Sequence, residues 1–189
     1  KQALLKDIFE YSISKTKKIM NDRGNKNLDK VRVAQEVGMG AVIFSALKNE
    51  KIKDVVFNID EALDFEGETS PYIQYTHARC CSILEKAGDS NYLIDKFDFS
   101  QVDNSEAIEL IKLLNNFPST VEYAFEKYEP SYISRLLIDI SKAYNKYYAT
   151  NRVIEEDGVN YSRLAVTKAT KIVIKNGLKL LGISAIEKM

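Results

Sequence analysis

The scarcity of chain-breaking residues constrains this sequence most. Three prolines and 8 glycines punctuate 189 residues, so long stretches can continue as helix with nothing to interrupt the backbone ladder. Helical spacing fills those stretches. Residues 2–20 place Leu4, Leu5, Ile8, Ile13 and Ile19 among lysines, and residues 28–47 place Val31, Ala34, Val37, Ala41 and Phe44 on one stripe. Asn21-Asp22-Arg23-Gly24-Asn25 reads as the loop between them. Further helices are expected over 103–116 through Ile108, Ile111 and Leu114, over 131–152, and over 161–181, the last ending near Gly182. Ser119-Thr120-Val121-Glu122 has the spacing of a capping box and would start a short helix after Pro118. Residues 52–58 fit a short strand or a loop. With one more helix over 70–87, the count is about seven helices and little strand: an all-α helical bundle.

Composition narrows the function. Hydrophobic residues at 45% and charged residues at 29% are ordinary globular values. The 27 Lys and Arg cancel the 27 Asp and Glu, so no global field draws the chain to nucleic acid, DNA included, or to an anionic membrane. Charge is nonetheless uneven: residues 1–30 balance to +4, residues 31–130 to −9 and residues 131–189 to +5. The basic ends either meet a polyanion or are solvated helix faces. The two cysteines, Cys80 and Cys81, are adjacent and cannot form a disulfide framework, which suits a reducing, cytoplasmic setting. No apolar run approaches the roughly 20 residues that span a bilayer, and no signal peptide opens the chain, so no membrane partner is expected. A first residue of Lys1 rather than Met reads as a piece of a longer protein.

A lone histidine, His77, removes His–His metal sites, and two thiols cannot complete a four-ligand zinc set with it. No G-x-x-x-x-G-K-[ST], G-x-G-x-x-G or G-x-S-x-G occurs. Neither a metal, nor a cofactor, nor a set of catalytic residues is expected within this chain.

The informative segment is residues 66–88. Ser70 can cap a helix, Pro71 suits its first position, and Gly88 is a natural residue just past its end. Ile73, His77, Cys80 and Leu84 recur on one face that should be buried, with His77 a hydrogen-bonded core residue. Cys80 is expected buried and Cys81 partly so. Tyr72, Tyr75 and Arg79 fall on roughly the opposite face. Two rings and a guanidinium on an outer face are what unpaired bases need: rings stack on bases, and the arginine meets a phosphate or stacks as well. The other reading is that both tyrosines pack under a neighbouring helix.

The run Gly67-Glu68-Thr69-Ser70-Pro71-Tyr72-Ile73-Gln74-Tyr75-Thr76-His77-Ala78-Arg79 closely resembles the Gly-x-Thr-Gly-Pro-Tyr-x-Gln-Tyr-x-His-x-Arg signature of arginyl-tRNA synthetases. Val37-Gly38-Met39-Gly40-Ala41-Val42 and Phe44 resemble that family's Val-Gly-Ile-Gly-Ala-Val-x-Phe, and Asp60-Glu61-Ala62-Leu63-Asp64-Phe65 fits the stretch between the two. Gly177-Leu178-Lys179-Leu180-Leu181-Gly182-Ile183 and Glu187-Lys188-Met189 match how these synthetases end. The chain departs from the pattern at Ser70, usually glycine, at Ile186, commonly proline, and at Lys188, commonly arginine. Ser70 is expected to alter the turn leading into the tyrosine helix, because glycine tolerates backbone angles that serine does not.

The resemblance implies the end of a class I synthetase. Residues 1–70 would be the last helices of the catalytic half, and residues 71–189 the helical anticodon-binding domain. The parent enzyme joins arginine to its tRNA using ATP, with magnesium as part of the substrate complex. Its His-x-Gly-His signature and its Met-Ser loop are absent here, so this chain alone should not aminoacylate. The expected partners are the anticodon loop of an arginine tRNA and the missing catalytic half. Tyr72 and Tyr75 match the two tyrosines of the family motif, residues 65–70 would shape the base pocket, and Tyr148 and Met189 match positions near the bound bases. Tyr144 continues the Ile133, Leu137, Ile140 stripe as core, while Tyr148 lies at its edge. Arg79, Arg152, Lys168 and Lys175 are candidate phosphate contacts. Competing readings are a helical protein–protein scaffold whose tyrosines are interface anchors, and the tail of another class I synthetase.

Overall fold

The computed structural model describes residues 4–22, 29–88, 96–156 and 158–189. Most of the expected loop at 21–25 lies outside the described residues. Helices α1 (Leu5–Asp22) and α2 (Lys30–Leu47) form an antiparallel pair that opens the fold. A single turn, α3 (Ile59–Ala62), and an irregular segment lead to α4 (Ser70–Ala87), which ends at Gly88 as expected. After a 3-10 turn at Phe99–Gln101 come α5 (Ser105–Asn115), α6 (Phe117–Lys127), α7 (Ser131–Thr150) and α8 (Tyr161–Leu180). Strands β1 (Ile154–Glu155) and β2 (Gly158–Val159) pair antiparallel between α7 and α8. The all-α bundle stands, with one four-residue helix and one two-residue hairpin that the sequence pattern did not signal.

The main core lies where α4, α7 and α8 meet, around Ile73, Cys80, Leu137, Ile140, Tyr144, Leu164, Ile174 and Leu178. Each fully buried aliphatic side chain there contributes about 1.5–3 kcal/mol. A second cluster joins Met20, Val33, Ala34 and Val37 to Ile186, with Phe65 and Met189 packed against it. Residues 183–189 therefore return across the molecule to the α1–α2 pair. Gly182, at φ +71°, makes the turn that sends them there. The paired glycines of α2 permit close helix approach on two sides. A Cβ at Gly38 would lie 2.9 Å from the Ile13 backbone of α1, and one at Gly40 would lie 2.9 Å from Ser70 Oγ of α4.

Several local expectations need correction. Val31 is 61% exposed, because α2 buries an arc centred on Val33, Val37 and Ala41 between α1 and α4 and leaves its first turn outside. Thr69, not Ser70, caps α4: its extended backbone lets Oγ1 accept from the Tyr72 amide at 3.3 Å. Ser70 is already helical and free of positive φ, so the turn is unstrained; the cost of serine is instead a buried hydroxyl with no hydrogen-bond partner among the described residues. The capping box at Ser119 does not form. Asn116 stays in a right-handed helical conformation between α5 and α6, and the chain bends there without the extended residue a box requires. Helix α7 stops at Thr150, where Asn151 turns back to donate from Nδ2 to the Tyr147 carbonyl at 2.9 Å.

Candidate nucleic-acid interface

The site is built on α4, whose start is fixed by Thr69. Its hydroxyl accepts from the helix and donates to the Asp64 carbonyl at 2.5 Å, which folds the 64–69 loop against the helix end. Lys142 on α7 reaches back to this loop, with Nζ 2.6 Å from Glu68 Oε1. The hydrogen bond and charge of Lys142 hold the Glu68 carboxyl below the usual carboxylate range. Both side chains are more than half exposed, so the pair orients the loop and adds little stability.

On this scaffold Tyr72, Tyr75 and Arg79 meet two side chains of α7. Arg79 Nη1 donates to Asn145 Oδ1 at 2.6 Å, and Nη2 donates to the Tyr75 hydroxyl at 3.2 Å. Its guanidinium carbon sits 4.9 Å from the Tyr75 ring centre and 5.8 Å from that of Tyr148. Asn145 Nδ2 donates to the Tyr72 hydroxyl and to Thr76 Oγ1, each at 3.0 Å. Tyr148 stacks on the buried Tyr144, ring centres 6.1 Å apart and planes 16° from parallel. The arginine is thus held between two rings rather than extended into solvent, and two of its five donors are already engaged.

Two clefts open on either side of Tyr75 and Arg79. One, about 420 Å³, is walled by Phe65, Glu66, Tyr72 and Asn145; the other, about 450 Å³, by Tyr148, Lys86, Glu187, Lys188 and Met189. Tyr75 is 41% exposed, while Tyr72, Arg79, Tyr148 and Met189 are half-buried. The structure therefore brings all five candidate residues to one surface, with the 65–70 loop at its edge. Basic and acidic groups are mixed there: Lys188 pairs with Glu85 at 2.9 Å. Aromatic faces rather than net charge dominate, the chemistry that suits unpaired bases over a phosphate chain.

The other candidate cations lie elsewhere. Lys168 and Lys175 share a shallow groove on α8 with Leu84, Lys171 and Ile172. Arg152 follows α7 and lines neither cleft. Among the described residues, no group of three or more His, Cys, Asp or Glu could hold a metal ion, and no helix is long and apolar enough to cross a membrane.

Behind the aromatic face, α4 buries Gln74 and His77 completely. Gln74 Nε2 donates to the Ser184 carbonyl at 2.9 Å, and His77 Nδ1 donates to the Ile186 carbonyl at 2.8 Å. Burial lowers the His77 pKa; the Ile186 carbonyl and Glu187 oppose that shift, and Lys171 and Lys175 reinforce it. His77 is the hydrogen-bonded core residue expected. Sequence reasoning missed Asn145 and Thr76. The available signal was an amide-bearing residue in the interior of a long helix, where asparagine is disfavoured unless its side chain has a partner.

Comparison with known proteins decides the family. The family described as DALR anticodon binding domain matches residues 73–189. This chain belongs to the DALR anticodon-binding domain family. An arginine–tRNA ligase of Clostridium kluyveri is 40% identical over 187 residues, spanning 98% of this chain and 33% of that protein. One from Halothermothrix orenii is 45% identical over 187 residues, spanning 98% of this chain and 32% of that protein. The chain spans about a third of the length of the curated relatives it matches. Among solved structures, the Thermus thermophilus arginyl-tRNA synthetase superposes with a TM-score of 0.86 at 31% identity, covering 99% of this chain and 32% of that one. The Plasmodium falciparum arginyl-tRNA synthetase gives the same TM-score at 23% identity, over 98% of this chain and 33% of that one, a likeness of fold. The DALR match includes α4 from Ile73 onward, α7 with Asn145 and Tyr148, α8 and the returning segment.

Proposed function

We propose that this DALR chain binds the anticodon loop of an arginine tRNA by stacking splayed bases against Tyr72, Tyr75 and Tyr148, beside Met189. It would do so as the end of an arginine–tRNA ligase in the cytoplasm. Arginine activation with ATP and magnesium would belong to the catalytic half of which residues 1–70 form the last helices. The observation that carries the reading is the Tyr75–Arg79–Tyr148 sandwich between two clefts, each large enough for a base, on a surface of near-balanced charge. The guanidinium and Asn145 fix the ring positions before RNA arrives, which lowers the ordering cost of binding.

The test is binding of the chain to an arginine anticodon stem-loop and to the same loop with its central base changed, at two salt concentrations. The proposal expects discrimination between the loops and weaker binding at higher salt. Tyr75→Ala should lose about 1–3 kcal/mol, the worth of one base–aromatic stack. Equal affinity for both loops, or a folded Tyr75→Ala variant that binds as wild type, defeats it.

A further inference from the structure

We propose that Gln74 and His77 are positioning residues for the base cleft: from inside α4 they clamp the segment after α8 and thereby set where Met189 stands. This deepens the anticodon reading of the cleft and rests on it. Neither residue lines either cleft, and both are fully buried. They occupy the side of α4 turned away from Tyr72, Tyr75 and Arg79. One helix therefore shapes the ring surface with one face and holds its far wall with the other.

The clamp is geometric. Residues 183–189 form no helix or strand, so their backbone carbonyls need partners from elsewhere. Gln74 supplies one to Ser184 and His77 one to Ile186, two positions apart on the returning chain. The Ile186 carbonyl is an acceptor only, so Nδ1 carries the proton and the imidazole is held in one tautomer. The Ile186 side chain then seats among Met20, Val33, Ala34 and Val37 at 3% exposure. Three residues remain beyond that anchor. Lys188 is tied to Glu85 only at the exposed surface, and Met189 reaches the cleft with Tyr75, Arg79 and Tyr148. Met189 packs against the same cluster that seats Ile186, so the His77 bond, by fixing Ile186, acts on the packing that sets where that thioether stands.

The experiment labels the three methionine methyl groups with ¹³C and compares wild type, His77→Leu and His77→Asn. Asparagine keeps a donor near the place of Nδ1. The expected result is that the Met189 methyl resonance moves toward its solvent-exposed position in His77→Leu and returns in His77→Asn. In parallel, stem-loop affinity is measured for His77→Leu, Met189→Ala and the double variant. Each single change should weaken binding about tenfold, at the lower end of one base contact, and the double variant should be no weaker than either alone. A Met189 resonance unmoved in a folded His77→Leu protein overturns the clamp. Additive losses overturn its link to the cleft. Wild-type protein that fails to bind the stem-loop, with the methyl shift still present, removes the anticodon reading and leaves the clamp standing.

Discussion

Asn145→Ala probes the joint on which the aromatic surface depends. The side chain makes three hydrogen bonds: it accepts from Arg79 at 2.6 Å and donates to Tyr72 and Thr76 at 3.0 Å each. A bond to a charged group contributes about 1.5–3 kcal/mol and a neutral one about 0.5–1.5 kcal/mol, so the unscreened total reaches roughly 2.5–6 kcal/mol. Two effects reduce it. Asn145, Tyr72 and Arg79 are half-buried, so water replaces part of what is lost. Alanine also favours helix over asparagine by about 0.7 kcal/mol. The net expectation is a loss of about 1–2 kcal/mol, read as a lower urea midpoint at unchanged slope. Because Arg79 would no longer be pinned between the rings, anticodon stem-loop affinity should fall too, and Arg79→Ala should be partly non-additive with it. A folded Asn145→Ala protein within about 0.5 kcal/mol of wild type, binding RNA equally well, would refute the idea that this network pre-arranges the rings.

Gly38→Ala should destabilise by about 1–2 kcal/mol, because overpacking against backbone outweighs the helix preference for alanine. The added Cβ would press on Ile13 Cα and N at 2.9 Å. Separating the helices would also strain the bond from Ser12 Oγ to the Gly38 carbonyl; faster amide exchange across α1 would register it, and a stabilised variant would contradict it. The His77 pKa is lowered in the fold, so the unfolded chain binds more protons as acidity rises. Its stability contribution is complete above histidine's ordinary value of about 6.5 and is lost as pH falls below it. Lys171 and Lys175 from α8, Glu187 and Cys81 surround the ring, and a window of about pH 5.5–7.5 brackets histidine's ordinary value. Urea midpoints across that range should fall with acidity in wild type and flatten in His77→Asn. Burial pushes the Cys80 thiol up to about 12 and raises the half-buried Cys81 thiol as well, so alkylation of the native protein should mark Cys81 first and spare Cys80.

Much of the local architecture is legible in the residues themselves. Scarce proline and glycine predict the long helices, Gly88 and Gly182 end two of them, and Tyr144 joins the stripe that buries it. The spacing of Tyr72, Tyr75 and Arg79 places them on one side of α4 because a helix repeats every 3.6 residues whatever surrounds it. These are short-range facts, decided within a turn or two. Tertiary packing decided the rest. Asn145 becomes the keystone of the ring surface only because α7 crosses α4 at that height, a distance of 66 residues from Arg79 in sequence. Met189 lines a cleft with Tyr75 because Gly182 turns the chain back, and His77 bonds that returning segment at Ile186, 109 residues away in sequence. Val31 is outside and Val33 inside because two neighbouring helices, not the periodicity of α2 alone, choose which arc of α2 is covered. Periodicity states which residues share a face; which face is buried, and what it meets, follows from how the helices cross.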